Sequence, residues 1–333
     1  MYFKKSLFIL LTLFSLSSYA QFQSFPEKDW NDPRIITRVA ELLNQSKILA
    51  LSDNAHGYPF PYLFLNALLQ NVGTDVDYLA LEISSDKQTQ LDQLVSGELD
   101  HFDDFKHWTD TEEGKAAFHL VIQTIRRLNI LRLHEGKPPM QVLALDKPDC
   151  CGGSKEWFLQ RDQHMYEVLK SRSNNFSLRG ILFLGGAHLS KGQFPLPKMA
   201  HRHMGAKRWK TLGYLLDHDE AVSQNIVRIW TEVELLAVDL WSFVSLDFLA
   251  MKTIGRRLLK EGLIFIPTDS RAFQRAERLA RSLPFTAPYK VGDNFDYFLR
   301  FEGTFPLGDQ CEAILSHPQK LLRGLLIQSF SLL

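Results

Sequence analysis

Cysteine is scarce in this chain, neither sign of charge is in excess, and the usual local signatures of metal, nucleotide and serine chemistry are missing. The three cysteines, Cys150, Cys151 and Cys311, fit no zinc-ligand spacing. An oxidising compartment would let one of the adjacent pair bridge to Cys311 and leave one thiol over. A structural or incidental role suits them better than a metal site. Lysine plus arginine equals aspartate plus glutamate at 38 each, so the formal net charge is zero. That balance gives no electrostatic footprint for nucleic acid. The locally basic stretches, Lys198–His203 and Arg202–Lys210, read as a solvated loop and helix face. There is no Gly-x-Ser-x-Gly elbow and no His-Glu-x-x-His helix. No dinucleotide fingerprint follows the first strand, and Gly185–Gly192, with Ser190-Lys191, has the wrong order for a phosphate-binding loop. An elbow-type serine hydrolase and a nicotinamide enzyme are therefore disfavoured.

Long apolar runs are also lacking. The N-terminal one, Leu7–Phe14, falls short of the roughly 20 residues that cross a bilayer. It follows Lys4 and Lys5 and precedes Ser18-Tyr19-Ala20, the pattern of a secretory signal peptide over residues 1–20 cleaved after Ala20. No cysteine follows to carry a lipid anchor. The expectation is a periplasmic or secreted product without a stable membrane anchor after signal removal, with residues 21–333 forming one α/β domain.

What is present is a repeated pattern. Four apolar runs lead to ionisable residues: Ile48–Ser52 to Asp53 and then His56-Gly57, Tyr78–Leu81 to Glu82, Val142–Leu145 to Asp146, and Ile181–Leu184 to Gly185-Gly186-Ala187-His188. Unbroken apolar runs suit parallel strands buried on both faces. Helical spacing falls between them: Pro33–Ser46, Pro61–Val72, Asp86–Val95, Gly114–His134 and Lys155–Arg172. The alternation predicts a mainly parallel central sheet with helices on both faces and a helical insertion around residues 100–136. Further on, Lys207–Leu216 reads as helix, and Gln224–Leu236, Leu263–Pro267 and Asp296–Phe301 as strands.

Ligands of open α/β sheets bind beyond the carboxyl ends of the strands, which is where these residues would gather. His56, followed by Gly57, would present an imidazole that a nearby Asp53 could orient for general-base work. Glu82 cannot be buried ionised without a partner. Asp146 is either a supporting carboxylate or a turn opener before Pro148. His188 pairs with His56 in the pattern. Arg161, in Arg161-Asp162, either meets a strand-end carboxylate or lies on a solvated helix face.

These segments resemble the erythromycin esterase and ChaN-like superfamily, which also takes in the Tiki/TraB proteins. The esterase branch has Gly-Glu-x-x-His-Gly after a first strand, a Glu ending a second, an Arg-Asp helix and a strand ending Gly-x-x-His. The matching residues are Ser52-Asp53-Asn54-Ala55-His56-Gly57, Glu82, Arg161-Asp162 and Gly185-Gly186-Ala187-His188, with Lys210–Leu216 following. Ser52 stands where the pattern has Gly, and Asp53 where it has Glu, a side chain shorter by one methylene.

In that branch the resemblance implies a metal-independent hydrolase of esters, lactones or amides. His56 would activate water, Asp53 and Glu82 would orient and balance it, and His188 would assist or contact a small-molecule substrate. Arg161, Asp162 and Asp146 would support them, and no cofactor would be required. The ChaN-like branch implies haem binding at the envelope, for which the aromatic residues would supply an apolar pocket. The Tiki branch implies a metal-dependent protease, with His56, Glu82 and His188 as ligands of a divalent ion.

Overall fold

The computed structural model describes residues 32–53, 59–100, 112–148, 155–195, 208–233, 265–281 and 291–301. They fall in the larger of two compact units, which takes in 30–233 and 240–301. The signal-peptide reading, His56-Gly57 and the three cysteines lie outside the described residues.

Helix α1 (Pro33–Gln45) starts where Asp32 accepts a hydrogen bond from the Arg34 amide at 2.9 Å. It buries Ile36, Val39, Ala40 and Leu43 at helical spacing. Strand β1 (Ile48–Ser52) leads to α2 (Pro59–Val72), and β2 (Tyr78–Ser84) to α3 (Gln88–Ser96) through a 3-10 turn, Ser85–Lys87. The long α4 (Glu112–His134) falls between α3 and β3 (Gln141–Asp146) and packs against α2. Helix α5 (Lys155–Arg172) then precedes β4 (Gly180–Leu184).

These strands belong to a seven-stranded sheet of order β3-β2-β4-β1-β7-β9-β8, completed by β7 (Ile226–Val233), β8 (Phe265–Pro267) and β9 (Tyr297–Phe301). Every pairing in it is parallel except β8 with β9. The protein is thus an α/β protein with a mainly parallel sheet. Side chains alternate between its faces. Ile48, Ala50, Tyr78, Ala80, Leu143 and Leu182 join Met165 and Leu169 of α5 in one core. Phe183 points to the other face, where its ring meets Tyr62 of α2 at 5.2 Å.

Glycine is required at two close approaches. A Cβ on Gly180 would lie 2.1 Å from the Tyr78 ring, and one on Gly213 would lie 2.3 Å from the Leu189 carbonyl oxygen.

The outer edge of β3 is covered by side-chain amides rather than by another strand. Gln88 donates to the Val142 carbonyl and accepts from the Ala144 amide, both at 2.8 Å. Asn129 accepts from the Met140 amide at 2.7 Å. Paired in this way, the edge offers little to a second chain.

The 207–216 reading needs correction. Arg208–Trp209 is a short strand, β6, paired with β5 (Phe194–Pro195), and helix α6 spans only Leu212–Asp217. Trp209, Leu212 and Leu216 are all buried, which mimics helical spacing, but Thr211 caps the helix by accepting from the Tyr214 amide at 3.0 Å. The amphipathic α7 (Arg271–Arg281) was not anticipated; its buried residues include Phe273 and Ala276.

Candidate active site

Four adjacent strands in the order β3-β2-β4-β1 run parallel, so their carboxyl ends share one edge of the sheet. Asp146 ends β3, Glu82 lies near the end of β2, Gly185 follows β4, and Asp53 follows β1. Helix α5 brings Arg161 and Asp162 to residues at this edge.

Arg161 holds the first half of the site together. Its Nε donates to Asp146 Oδ1 and its Nη2 to Asp146 Oδ2, each at 2.6 Å. The same Nη2 donates to Glu82 Oε1 at 2.6 Å. A planar guanidinium suits this bidentate contact where a lysine would not. Partial burial disfavours the Arg161 cation, but the hydrogen bonds to Asp146 and the charges of Glu82 and Asp146 outweigh it. Its pKa is held above the ordinary value.

His188 holds the second half. The Gly185–Leu189 turn closes through the His188 amide, which donates to the Gly185 carbonyl at 2.9 Å. The His188 carbonyl accepts from the Gly213 amide at 2.7 Å, and the Leu189 and Ser190 backbone that follows leaves no room for a Cβ at Gly213. The ring is 2.9 Å from Asp162 Oδ1 through Nδ1 and 3.3 Å from Glu82 Oε1 through Nε2. It meets Trp209 edge to face at 4.9 Å. Burial opposes a charge on the imidazole, but Asp162 and then Glu82 outweigh it, and the pKa is raised to about 10. At neutral pH His188 is therefore an imidazolium donating from both nitrogens, and cannot act as a base.

The two halves share Glu82. Its Oε1 accepts from Arg161 and His188, and its Oε2 accepts from the Gly185 amide at 2.8 Å. Asp162 Oδ1 also accepts from the Leu212 amide at 2.6 Å, while its Oδ2 is buried with no hydrogen-bond partner among the described residues.

Asp53 is fully buried at the end of β1, its amide donating to the Leu184 carbonyl at 2.6 Å. Tyr62 of α2 lies within reach of the charges of Asp53 and Glu82. Burial pushes the Tyr62 phenol well above its ordinary pKa, and the charges of Asp53 and Glu82 add to the shift. The ring is fixed by Phe118 and Phe183 at 5.8 and 5.2 Å.

The structure thus joins Glu82, Asp146, Arg161, Asp162 and His188 in one bonded cluster, with Asp53 on the neighbouring strand end. Tyr62 and Trp209 were not singled out from the sequence. Tyr62 lies among leucines and phenylalanines on α2 and looks like ordinary core.

No protein-family model matches this chain, and no curated protein does. Solved structures do. A protein from Bacillus cereus is 12% identical over 82% of this chain and 92% of its own, with a TM-score of 0.50. An erythromycin esterase, the EreC mutant in its open conformation, is 12% identical over 87% of this chain and 97% of its own, at a TM-score of 0.49. A succinoglycan biosynthesis protein is 13% identical over 62% of this chain and 70% of its own, at 0.45. The likeness to the Bacillus protein shows a shared fold.

A divalent metal does not suit the cluster as it stands. Both Glu82 oxygens and both His188 nitrogens are engaged, and a cationic imidazole cannot ligate. Among the described residues no group of three or more ligating side chains is placed to hold a metal ion. Nor, among them, is any helix long and apolar enough to cross a membrane.

Proposed function

We propose that this protein is a hydrolase that cleaves an ester, lactone or amide of a small molecule with water activated by His56, without metal or haem. The observation that carries this reading is the bonded cluster of Glu82, Asp146, Arg161, Asp162 and His188 at the carboxyl ends of parallel strands, one strand from Asp53. His56 lies outside the described residues; it follows Asp53 by three positions in the sequence.

In this mechanism His56 accepts a proton from water as the oxygen attacks the carbonyl carbon. Asp53 orients the imidazole and balances its charge. As the tetrahedral adduct collapses, His56 returns the proton to the leaving oxygen or nitrogen. Glu82, held by Arg161, His188 and the Gly185 amide, keeps a negative charge at this end of the sheet that would favour the developing imidazolium. The N-terminal segment would send the protein to the periplasm or outside the cell, where small esters and lactones are met.

His56→Ala, compared with wild type over a panel of short-chain and macrocyclic esters, is the direct test. A fall in kcat of at least ~100-fold is expected for loss of a general base. Equal turnover by the two proteins would remove His56 from the mechanism.

A further inference from the structure

A second pair of reactive side chains lies beside this edge, outside the carboxylate cluster. Ser85 directly follows β2 and opens the 3-10 turn into α3. Its Oγ is 2.9 Å from Nε2 of His164, one turn along α5 from Arg161. Both residues are half-buried. They line a cleft of about 370 Å³ beside the edge strand β3, bounded by Gln88, Ala144, Val168, Glu167 and Arg172.

The geometry around the pair is set by contacts made elsewhere. Gln88 is held by its two bonds to the edge of β3, which fixes the start of α3 and with it Ser85. Met165 and Leu169 anchor α5 in the core and hold His164 at the cleft wall. Burial lowers the His164 pKa; Asp146 acts against that and Lys147 with it, and the net shift is downward. The ring is therefore neutral at pH 7 and accepts on Nε2 when its proton is on Nδ1. A hydroxyl within hydrogen-bond reach of a neutral histidine, open to a cleft, is the arrangement of an activated nucleophile.

We propose that Ser85 and His164 form a nucleophile–base pair that accepts the acyl group of a short-chain ester bound in this cleft. Ser85 Oγ attacks the carbonyl carbon while its proton passes to His164 Nε2. The bond from carbon to the alcohol oxygen then breaks, and His164 returns the proton to that oxygen. Water repeats the sequence on the acyl-serine and releases the acid. Ala144 and Val168 supply apolar wall for the acyl chain, and Glu167 and Arg172 stand exposed at the rim. This chemistry goes beyond water activation at His56 and does not depend on it, because that route forms no serine adduct.

The full chain incubated with a fluorophosphonate, then analysed by intact mass and peptide mapping, tests the pair. One adduct on Ser85 is expected, absent in Ser85→Ala and formed at least ~100-fold more slowly in His164→Ala. A folded wild-type protein that forms no adduct would overturn the proposal. So would an adduct on another serine, or labelling of His164→Ala at the wild-type rate.

Discussion

Each end of the parallel sheet is organised by one arginine, and the two are satisfied in different ways. At the amino ends of β2, β3 and β4, Arg132 donates to the carbonyls of Thr74, Val76 and Pro138 at 2.7, 2.6 and 2.6 Å. Its remaining contact is Asp77 at 2.9 Å, and Asp77 in turn accepts from the Arg179 amide at 2.9 Å. Arg132 itself bonds one carboxylate and otherwise neutral backbone, with the Lys137 ammonium beside it paired to Asp75 and Glu135. At the carboxyl ends, Arg161 and His188 face Glu82, Asp146 and Asp162, with Asp53 on the next strand. Negative charge is in excess there and comes from side chains on separate elements. The first end ties loops together. The second holds charges where they would repel without their cations, an arrangement that stability alone does not call for.

Substituting each arginine should separate the two ends. Arg161→Met leaves Glu82 and Asp146 buried and close without their shared partner. A loss of about 3 kcal/mol in urea unfolding is expected, together with loss of ester turnover in the molecules that remain folded. Arg161→Lys should recover part of the stability and little of the activity, because an ammonium cannot make the bidentate contact. Arg132→Met, measured in the same way, should cost about 2 kcal/mol for its abandoned carbonyls and Asp77. Its turnover per folded molecule should match wild type. If both variants lost activity in proportion to stability, the carboxyl end would be no more than a second structural clamp.

The two ends also differ in how far the sequence foretells them. The strands are legible because β1, β2, β3 and β4 are almost wholly buried, so nothing polar interrupts their runs until the sheet ends. Glu82, Asp146 and His188 stand out against that apolar background, and Arg161 gains meaning as their counter-charge. Arg132 gives no such signal. Three of its partner residues contribute backbone carbonyls, and any residue type carries one. Tyr62 is hidden for the opposite reason, since an aromatic on an apolar helix face reads as packing whatever its hydroxyl meets. His188 was expected to assist or to touch substrate. Its fixation between Asp162 and Glu82 depends on a helix 26 residues upstream, a distance that no local pattern encodes.

The finest distinction between the ends is in their response to pH. His188 titrates from an ordinary value of 6.5 to about 10 in the folded protein, because burial is outweighed by Asp162 and Glu82. A folded pKa above the unfolded one adds stability that is complete below pH 6.5 and is lost as the pH rises through about 10. Wild-type unfolding free energy should therefore decline between these limits. His188→Gln should be less stable than wild type at pH 6 and should lack that part of the decline, so the two curves converge toward pH 10. Lysines and tyrosines titrate in the same range, but they are common to both proteins and cancel in the difference. Arg132→Met should run parallel to wild type instead, since the groups that Arg132 bonds, three carbonyls and Asp77, include no histidine. Parallel curves for His188→Gln and wild type would mean that the imidazole is neutral in the folded state. It would then be free to accept a proton, and the part of base assigned to His56 would have a second candidate.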